Sequence, residues 1–340
     1  MLAISMLVAA MATSPKPGEL KSFDDWTVGC DNGLRCTAVS LMEMESGENQ
    51  LTVQIRRDPQ AMAPTRLEIA NVEDRGKAGS ARLVRDGGQL VANVSLPANG
   101  DPIELILDPF MIAALGNGKK LDLRDTKGQS LGTASLRGIR AALTYADAQQ
   151  GRTDTITAMI TKGPKPASAV PAPPALPNIM APRLSKSANE ILSREDVVRL
   201  QGRTGCDASG DPPLPQEAVR IDRRHWLAMI PCGSGAYNLM GAPVLVSGSG
   251  KSRKMKMADF DYLPRTTSEN GLPVIANASW DDVRGELMSY AKGRGLGDCG
   301  SAETWVWDGR RFRLQAQMVM EDCRGVVDWI PTWRAKVTRR

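Results

Sequence analysis

His225 is the single histidine of this 340-residue chain, and that scarcity limits the chemistry available to it. Zinc enzymes usually contribute two or three histidine ligands, and in any triad His225 would have to serve alone as acid or base. One thiol arrangement is conceivable. Cys299 sits in Gly297-Asp298-Cys299-Gly300, with His225 before it in the chain, so a hydrolase using Cys299 and His225 is the alternative to weigh. Asp259 with Asp261, Asp281 with Asp282, and Glu321 with Asp322 are close acidic couples. They could cleave a glycoside only if two of them faced each other across a cleft, and none has the spacing of a calcium loop. Residues 247–252 read SGSGKS and end like a phosphate loop, but Leu245 stands where that loop needs glycine. In Cys232-Gly-Ser-Gly235 a glycine occupies the place a nucleophile would take. The expectation is therefore no catalytic set, no metal site and no cofactor.

One segment does suit ligand contact. Ser289–Gly300 reads SYAKGRGLGDCG, a glycine-rich loop carrying Tyr290, Lys292, Arg294 and Asp298. Glycine lets a backbone approach a ligand closely. With Tyr237, Asn238 and Arg324 the loop could frame a polar site, although a disulfide-anchored structural loop would look the same. Six of the seven tryptophans follow position 220, so such a site would lie beside a tryptophan cluster.

The elements that must position these residues fall into two halves. Gly163–Pro182, within a Pro/Ala-rich linker at 162–182, should be an extended, semi-rigid spacer. It separates a domain at 20–161 from one at 183–340. In the first, strands are expected at Trp26–Cys30, Cys36–Leu41, Leu51–Ile55, Thr65–Ile69, Ala81–Val84, Leu90–Leu96, Ile103–Leu107 and Thr155–Ile160. A helix should open at Asp108-Pro109 and stop at Gly116. A second carries the stripe Ile139, Ala142, Leu143, Ala146 before Gly151. This many short strands predicts an antiparallel β-sandwich.

The second domain opens with a helix capped by Ser193 and Asp196, followed by strand–turn–strand units. It is expected to be an antiparallel, β-rich α+β domain. Trp280–Leu287 fits either a strand pair around Asp281–Gly285 or one helix, and Gly285 disfavours the helix. A two-residue Asp308-Gly309 turn would pair Trp307 with Arg310 and Trp305 with Phe312. Lys251–Met257, reading KSRKMKM, suits a charged edge strand.

Met1–Ala12 is short and apolar and ends in Ala10-Met11-Ala12, as the core of a secretory signal does, though no basic residue precedes Lys16. The cysteines form sequence-local couples, and nearest-neighbour pairing gives Cys30–Cys36, Cys206–Cys232 and Cys299–Cys323. An Asn32-Gly33 two-residue turn would set Cys30 opposite Arg35, so the first bridge needs an odd-length loop or a bulge. Paired cysteines suit an exported, periplasmic protein. No later apolar run is long enough to cross a bilayer. The net charge of +5 lies in the second half and is too dilute for nucleic-acid binding.

Several stretches resemble the exported proteobacterial family known as domain of unknown function 1176. They are Phe23-x-x-Trp26-x-Val28-Gly-Cys-Asp-Asn32 with Cys36, Ala141-Ala-Leu-x-Tyr-x-Asp147 with Gln150-Gly-Arg152, and Cys232-Gly-x-Gly-Ala-Tyr-Asn238. Ser289–Gly300, Cys323-Arg-Gly325, Trp329 and Trp333-Arg334 complete the set. The first domain is also similar, to a lesser degree, to the invasion-associated locus B family of small secreted β proteins. These resemblances imply a β-sandwich and a periplasmic location, and they assign no chemistry. The function expected is a non-enzymatic binding or interaction protein, with the second domain meeting a glycan or an envelope protein.

Overall fold

The computed structural model describes residues 14–43, 49–70, 72, 79–98, 101–184, 188–206, 216–248, 252–262 and 272–340. The signal-like stretch Met1–Ala12 and residues 249–251 of the SGSGKS stretch lie outside the described residues.

In the first half the strands are β1 (Leu20–Phe23), β2 (Trp26–Cys30), β3 (Cys36–Ser40), β4 (Thr52–Arg57), β5 (Thr65–Ala70), β6 (Gly79–Arg85), β7 (Gln89–Leu96), β8 (Ile103–Leu107), β9 (Lys120–Asp125) and β10 (Ser130–Ser135). One sheet runs β1-β2-β3-β4-β5-β8 and the other β10-β9-β6-β7, antiparallel throughout. The alternation along β5 shows why they stack. Thr65, Leu67 and Ile69 point into the core while Arg66 faces out. Leu83, Leu121 and Leu123 close the core from the second sheet.

Helix α1 (Pro109–Gly116) begins where the Asp108 carboxylate accepts the Met111 amide at 2.8 Å. Helix α2 (Ile139–Gln149) buries Ile139, Ala142, Leu143 and Ala146 against the sandwich. Strands β9 and β10 were not expected from the sequence, because Leu121-x-Leu123 is a short alternation among charged residues.

The second half contains β11 (Asn178–Ala181), β12 (Glu190–Leu192), α3 (Arg194–Thr204), β13 (Gln216–Arg220), β14 (His225–Ser234), β15 (Leu239–Ser247), β16 (Lys254–Met257), β17 (Ile275–Ala276), β18 (Ser279–Asp281), β19 (Glu286–Lys292), β20 (Gly300–Trp307), β21 (Phe312–Met320), β22 (Ile330–Arg334) and β23 (Lys336–Arg339). Sheets β12-β13-β14-β15-β16 and β18-β19-β20-β21-β22 pack face to face through Leu227, Leu245, Leu287, Trp305, Phe312 and Leu314. Helix α3 covers the outer face of the first of these sheets with Val197 and Leu200. Among the described residues, no helix is long and apolar enough to cross a membrane.

Three local expectations are corrected. Thr155–Ile160 forms turns instead of a strand, because its amides are taken elsewhere: those of Met159 and Ile160 go to the Asp147 carboxylate at 2.7 and 2.9 Å. The β20–β21 connection has four residues, since Asp308 Oδ1 accepts the amides of Arg310 and Arg311. Trp307 therefore faces Phe312, and Trp305 faces Leu314. Within the Pro/Ala-rich stretch, Asn178–Ala181 pairs in parallel with β23 and buries Ile179 and Ala181. The strand pair favoured around Asp281–Gly285 is present as β18–β19, with Gly285 at φ +65°.

The cysteines bond Cys30 to Cys36, Cys206 to Cys232 and Cys299 to Cys323. Cys30 lies directly opposite Cys36 across a five-residue loop, whose amides at Gly33 and Arg35 are held by Asp31 Oδ1. Cys299 is a half-cystine here, so this structure presents no thiolate beside His225.

The halves meet at the β2–β3 hairpin. Val39 and Leu41 share a core with Met320, Val326, Trp329 and Ile330. The fully buried Asp31 carboxylate pairs with Arg334 Nε. Asn32 gives an amide to Arg334 O at 2.9 Å and accepts its N–H at 2.7 Å. Asp322 Oδ2 accepts the hydroxyls of Ser22 and Thr27 at 2.7 and 2.6 Å.

Candidate functional site

Asn238 organises the surface on which most of the expected ligand residues meet. Its Nδ2 donates to Lys292 O at 2.9 Å, and its Oδ1 accepts Lys292 N at 3.1 Å and Asn277 Nδ2 at 2.8 Å. Asn277, at φ +46°, takes a left-handed conformation that asparagine tolerates. Its Oδ1 accepts Leu239 N at 2.9 Å and its Nδ2 also reaches Tyr290 O at 2.8 Å. Two side-chain amides thus sew the start of β15 to the end of β19. The sequence reading missed Asn277, which lies outside every motif it used.

The loop after β19 is built from within. Gly293 N donates to Cys299 O at 2.7 Å, closing it at its neck. Gly297 has φ +69°, and at Gly300 a Cβ would fall 2.0 Å from Ala291 O, so both positions require glycine. Arg294 Nε donates to Asp298 Oδ1 at 2.7 Å, its second nitrogen donates to Oδ2, and Gly325 N reaches Oδ2 at 2.7 Å. The Arg294 bond, opposed by burial and helped by Gly325, holds the Asp298 carboxyl at about 2.

This shift gives a pH prediction. The folded value lies below the unfolded value of about 3.9, so the stabilisation is complete above that value and is lost as pH falls towards about 2. Thermal melts of the wild type should fall through that acid window, and the Asp298→Asn variant should start lower and fall less. Parallel curves would remove Asp298 as the source.

Both tyrosines grip this loop by their hydroxyls. Tyr237 donates to Gly293 O at 2.9 Å and Tyr290 to Gly297 O at 3.0 Å. Burial, then the Asp298 charge, pushes the Tyr290 hydroxyl up. The Tyr290 ring stacks on Trp329 at 4.7 Å and 13° between planes. Lys292 Nζ lies 5.9 Å from its centroid. Tyr237 (39% exposed), Leu239 (69%), Tyr290 (36%) and Leu296 (74%) leave an apolar, aromatic face open to solvent. Fixed hydroxyls mean that the rings present their faces with little rotamer freedom left to lose.

The structure therefore brings together Tyr237, Asn238, Tyr290, Lys292, Arg294 and Asp298. It does not add Arg324, whose guanidinium crosses to the first half and bonds Asp25 Oδ1 at 2.9 Å and Met42 O at 2.9 Å. The tryptophans are core residues except Trp280, which is half-buried in β18. Trp305, Trp307 and Trp333 lie between the sheets, and Trp226 and Trp329 are buried elsewhere, so only Trp329 touches this face, from beneath Tyr290.

The acidic couples have structural partners too. Asp261 holds Arg313, Asp281 Oδ1 accepts the Val283 and Arg284 amides, and Asp322 binds the first half. Carboxylates do approach each other at Glu68 and Glu104, which are directly opposite on β5 and β8 beside a cleft of about 230 Å³. Burial and then Asp328 push the Glu68 carboxyl up. Nothing in the sequence marked these two, which read as the outward positions of ordinary strands.

A family model described as "Protein of unknown function (DUF1176)" matches residues 20–336. "Uncharacterized protein YpfG" of Escherichia coli (strain K12) is 30% identical over 343 residues, covering 92% of each chain. The crystal structure of invasion associated protein B from Bartonella henselae aligns with 39% of this chain and 99% of its own, at 19% identity and a TM-score of 0.30.

Proposed function

We propose, for a chain that belongs to the family described as "Protein of unknown function (DUF1176)", a non-enzymatic binding role in the bacterial envelope, with the tyrosine face of the second half as contact surface. Export to the periplasm is part of this reading and is supported by three disulfides in one chain. The observation that carries the binding role is the exposure of Tyr237 and Tyr290 against the loop after β19, to which both hydroxyls are already bonded. Flat aromatic faces beside a cation suit the apolar face of a sugar ring that also bears a carboxylate. Lys292 has no carboxylate partner among the described residues and is the cation placed for it.

The test is a titration with soluble peptidoglycan fragments and with hexuronate oligosaccharides, read by tryptophan fluorescence, because Trp329 lies directly under Tyr290. Binding should change the signal. Tyr237→Ser should weaken it by roughly 3- to 10-fold, the range of one aromatic contact, while leaving the melting temperature in place. A flat response to both ligand sets removes this reading. Turnover of chromogenic glycosides that disappears in Glu68→Gln would replace it with a hydrolase.

A further inference from the structure

Four arginines whose side chains make no ion pair among the described residues line another surface feature of the second half. Arg223 and Arg224 form the turn between β13 and β14, and Arg183 and Arg340 end the β11–β23 ribbon. The ribbon end is fixed by Arg340 N to Ala181 O at 3.0 Å and Arg183 N to Arg340 O at 2.9 Å. With Pro182 and Asp222 the four line a cleft of about 440 Å³, and all four are exposed.

Neighbouring arginines show what a structural role looks like here. Arg220 donates to Asp222 O and Arg223 O and lies 4.2 Å over Trp226. Arg339 donates to Pro182 O and Arg284 O. The four cleft arginines make no such side-chain bond and no ion pair among the described residues.

The one side-chain carboxylate in the cleft wall does not neutralise them. Asp222 Oδ1 accepts Arg224 N at 2.7 Å and His225 N at 2.8 Å, and Oδ2 accepts Trp307 Nε1 at 2.7 Å. His225 Nδ1 sits 2.9 Å from Oδ2, and the Asp222 side chain is only 12% exposed. This carboxylate is turned inward, where it shapes the turn that presents Arg223 and Arg224.

Like charges gathered in one concavity raise the local potential and draw in anions. A single carboxylate would leave most of that charge unmatched. Guanidinium is planar and bonds phosphate oxygens in pairs. We propose that this cleft binds a ligand bearing two or more phosphate groups, through Arg183, Arg223, Arg224 and Arg340. Such groups occur on soluble phosphate esters and on phosphate-bearing lipid headgroups.

Two probes separate those sources. The full chain is titrated with tripolyphosphate by calorimetry at low and physiological salt, and is sedimented with vesicles of phosphatidic acid and phosphatidylcholine. Both are repeated with the double variant Arg223→Gln/Arg224→Gln, with Arg183→Gln, and with Tyr237→Ser. Tripolyphosphate binding that weakens with salt, falls at least about tenfold in the double variant and survives Tyr237→Ser supports the site with a soluble ligand. The same pattern for vesicles alone supports it with a lipid headgroup. No binding to either probe at low salt overturns the proposal. So does binding that neither arginine variant weakens, or that Tyr237→Ser weakens equally.

Discussion

Replacing Arg152 by alanine should destabilise the protein by about 3–5 kcal/mol, because several buried acceptors lose a charged donor at about 1–3 kcal/mol each. Arg152 is fully buried and meets no carboxylate directly. Its Nε donates to Gln150 Oε1 at 2.7 Å, and its terminal nitrogens donate to the carbonyls of Asp58, Pro59, Gln60 and Ala61. One side chain thereby bonds four successive carbonyls of the bend between β4 and β5. Alanine would leave those carbonyls without their donor beside a new cavity. Lysine, with one ammonium in place of a fork, should recover only part of the loss. Urea denaturation of the two variants measures it. An Arg152→Ala loss below about 1 kcal/mol would mean that water replaces the guanidinium and that the bend stands without it.

The second large effect is expected at the contact between the halves. Arg334→Ala removes the cation from Asp31, whose side chain is fully buried, and should cost about 2–4 kcal/mol. Asp31 keeps the Gly33 and Arg35 amides, which is why the estimate stays under that for Arg152. In the double variant Asp31→Asn/Arg334→Ala the uncompensated charge is gone, so the two losses should be less than additive. The melting curve of Arg334→Ala should broaden or split as the halves lose their coupling. Strict additivity and a single sharp transition would show that the shared core of Val39, Leu41, Met320 and Ile330 holds the halves by itself.

Both residues belong to stretches on which the resemblance to the family rests, Gln150-Gly-Arg152 and Trp333-Arg334. Their roles were hidden because their partners are carbonyls and an aspartate far away in sequence. What the sequence did express was local: the Asp108 cap of α1, the alternation of β5 and the apolar stripe of α2. Where a side chain captured the backbone, local reading failed. Asp147 turned an apparent strand at Thr155–Ile160 into turns, and Asp308 lengthened a two-residue turn to four and moved the register of Trp307. For the tyrosine face, the glycine-rich loop was legible from its composition. Asn277, Leu239 and Leu296 were not, since their contribution depends on which strand ends lie side by side.

The pairing of β11 with β23, and of Asp31 with Arg334, also bears on the order of events during synthesis. The latter joins positions 303 apart. A chain that emerges from its N-terminal side can close the first sandwich early, but its β2–β3 hairpin stays uncovered until the last strands arrive. Contacts this distant in sequence are slow to form and leave apolar surface exposed meanwhile. For such a chain, the interval between the first sandwich's closure and the arrival of residues 330–339 is when aggregation and proteolysis compete with folding.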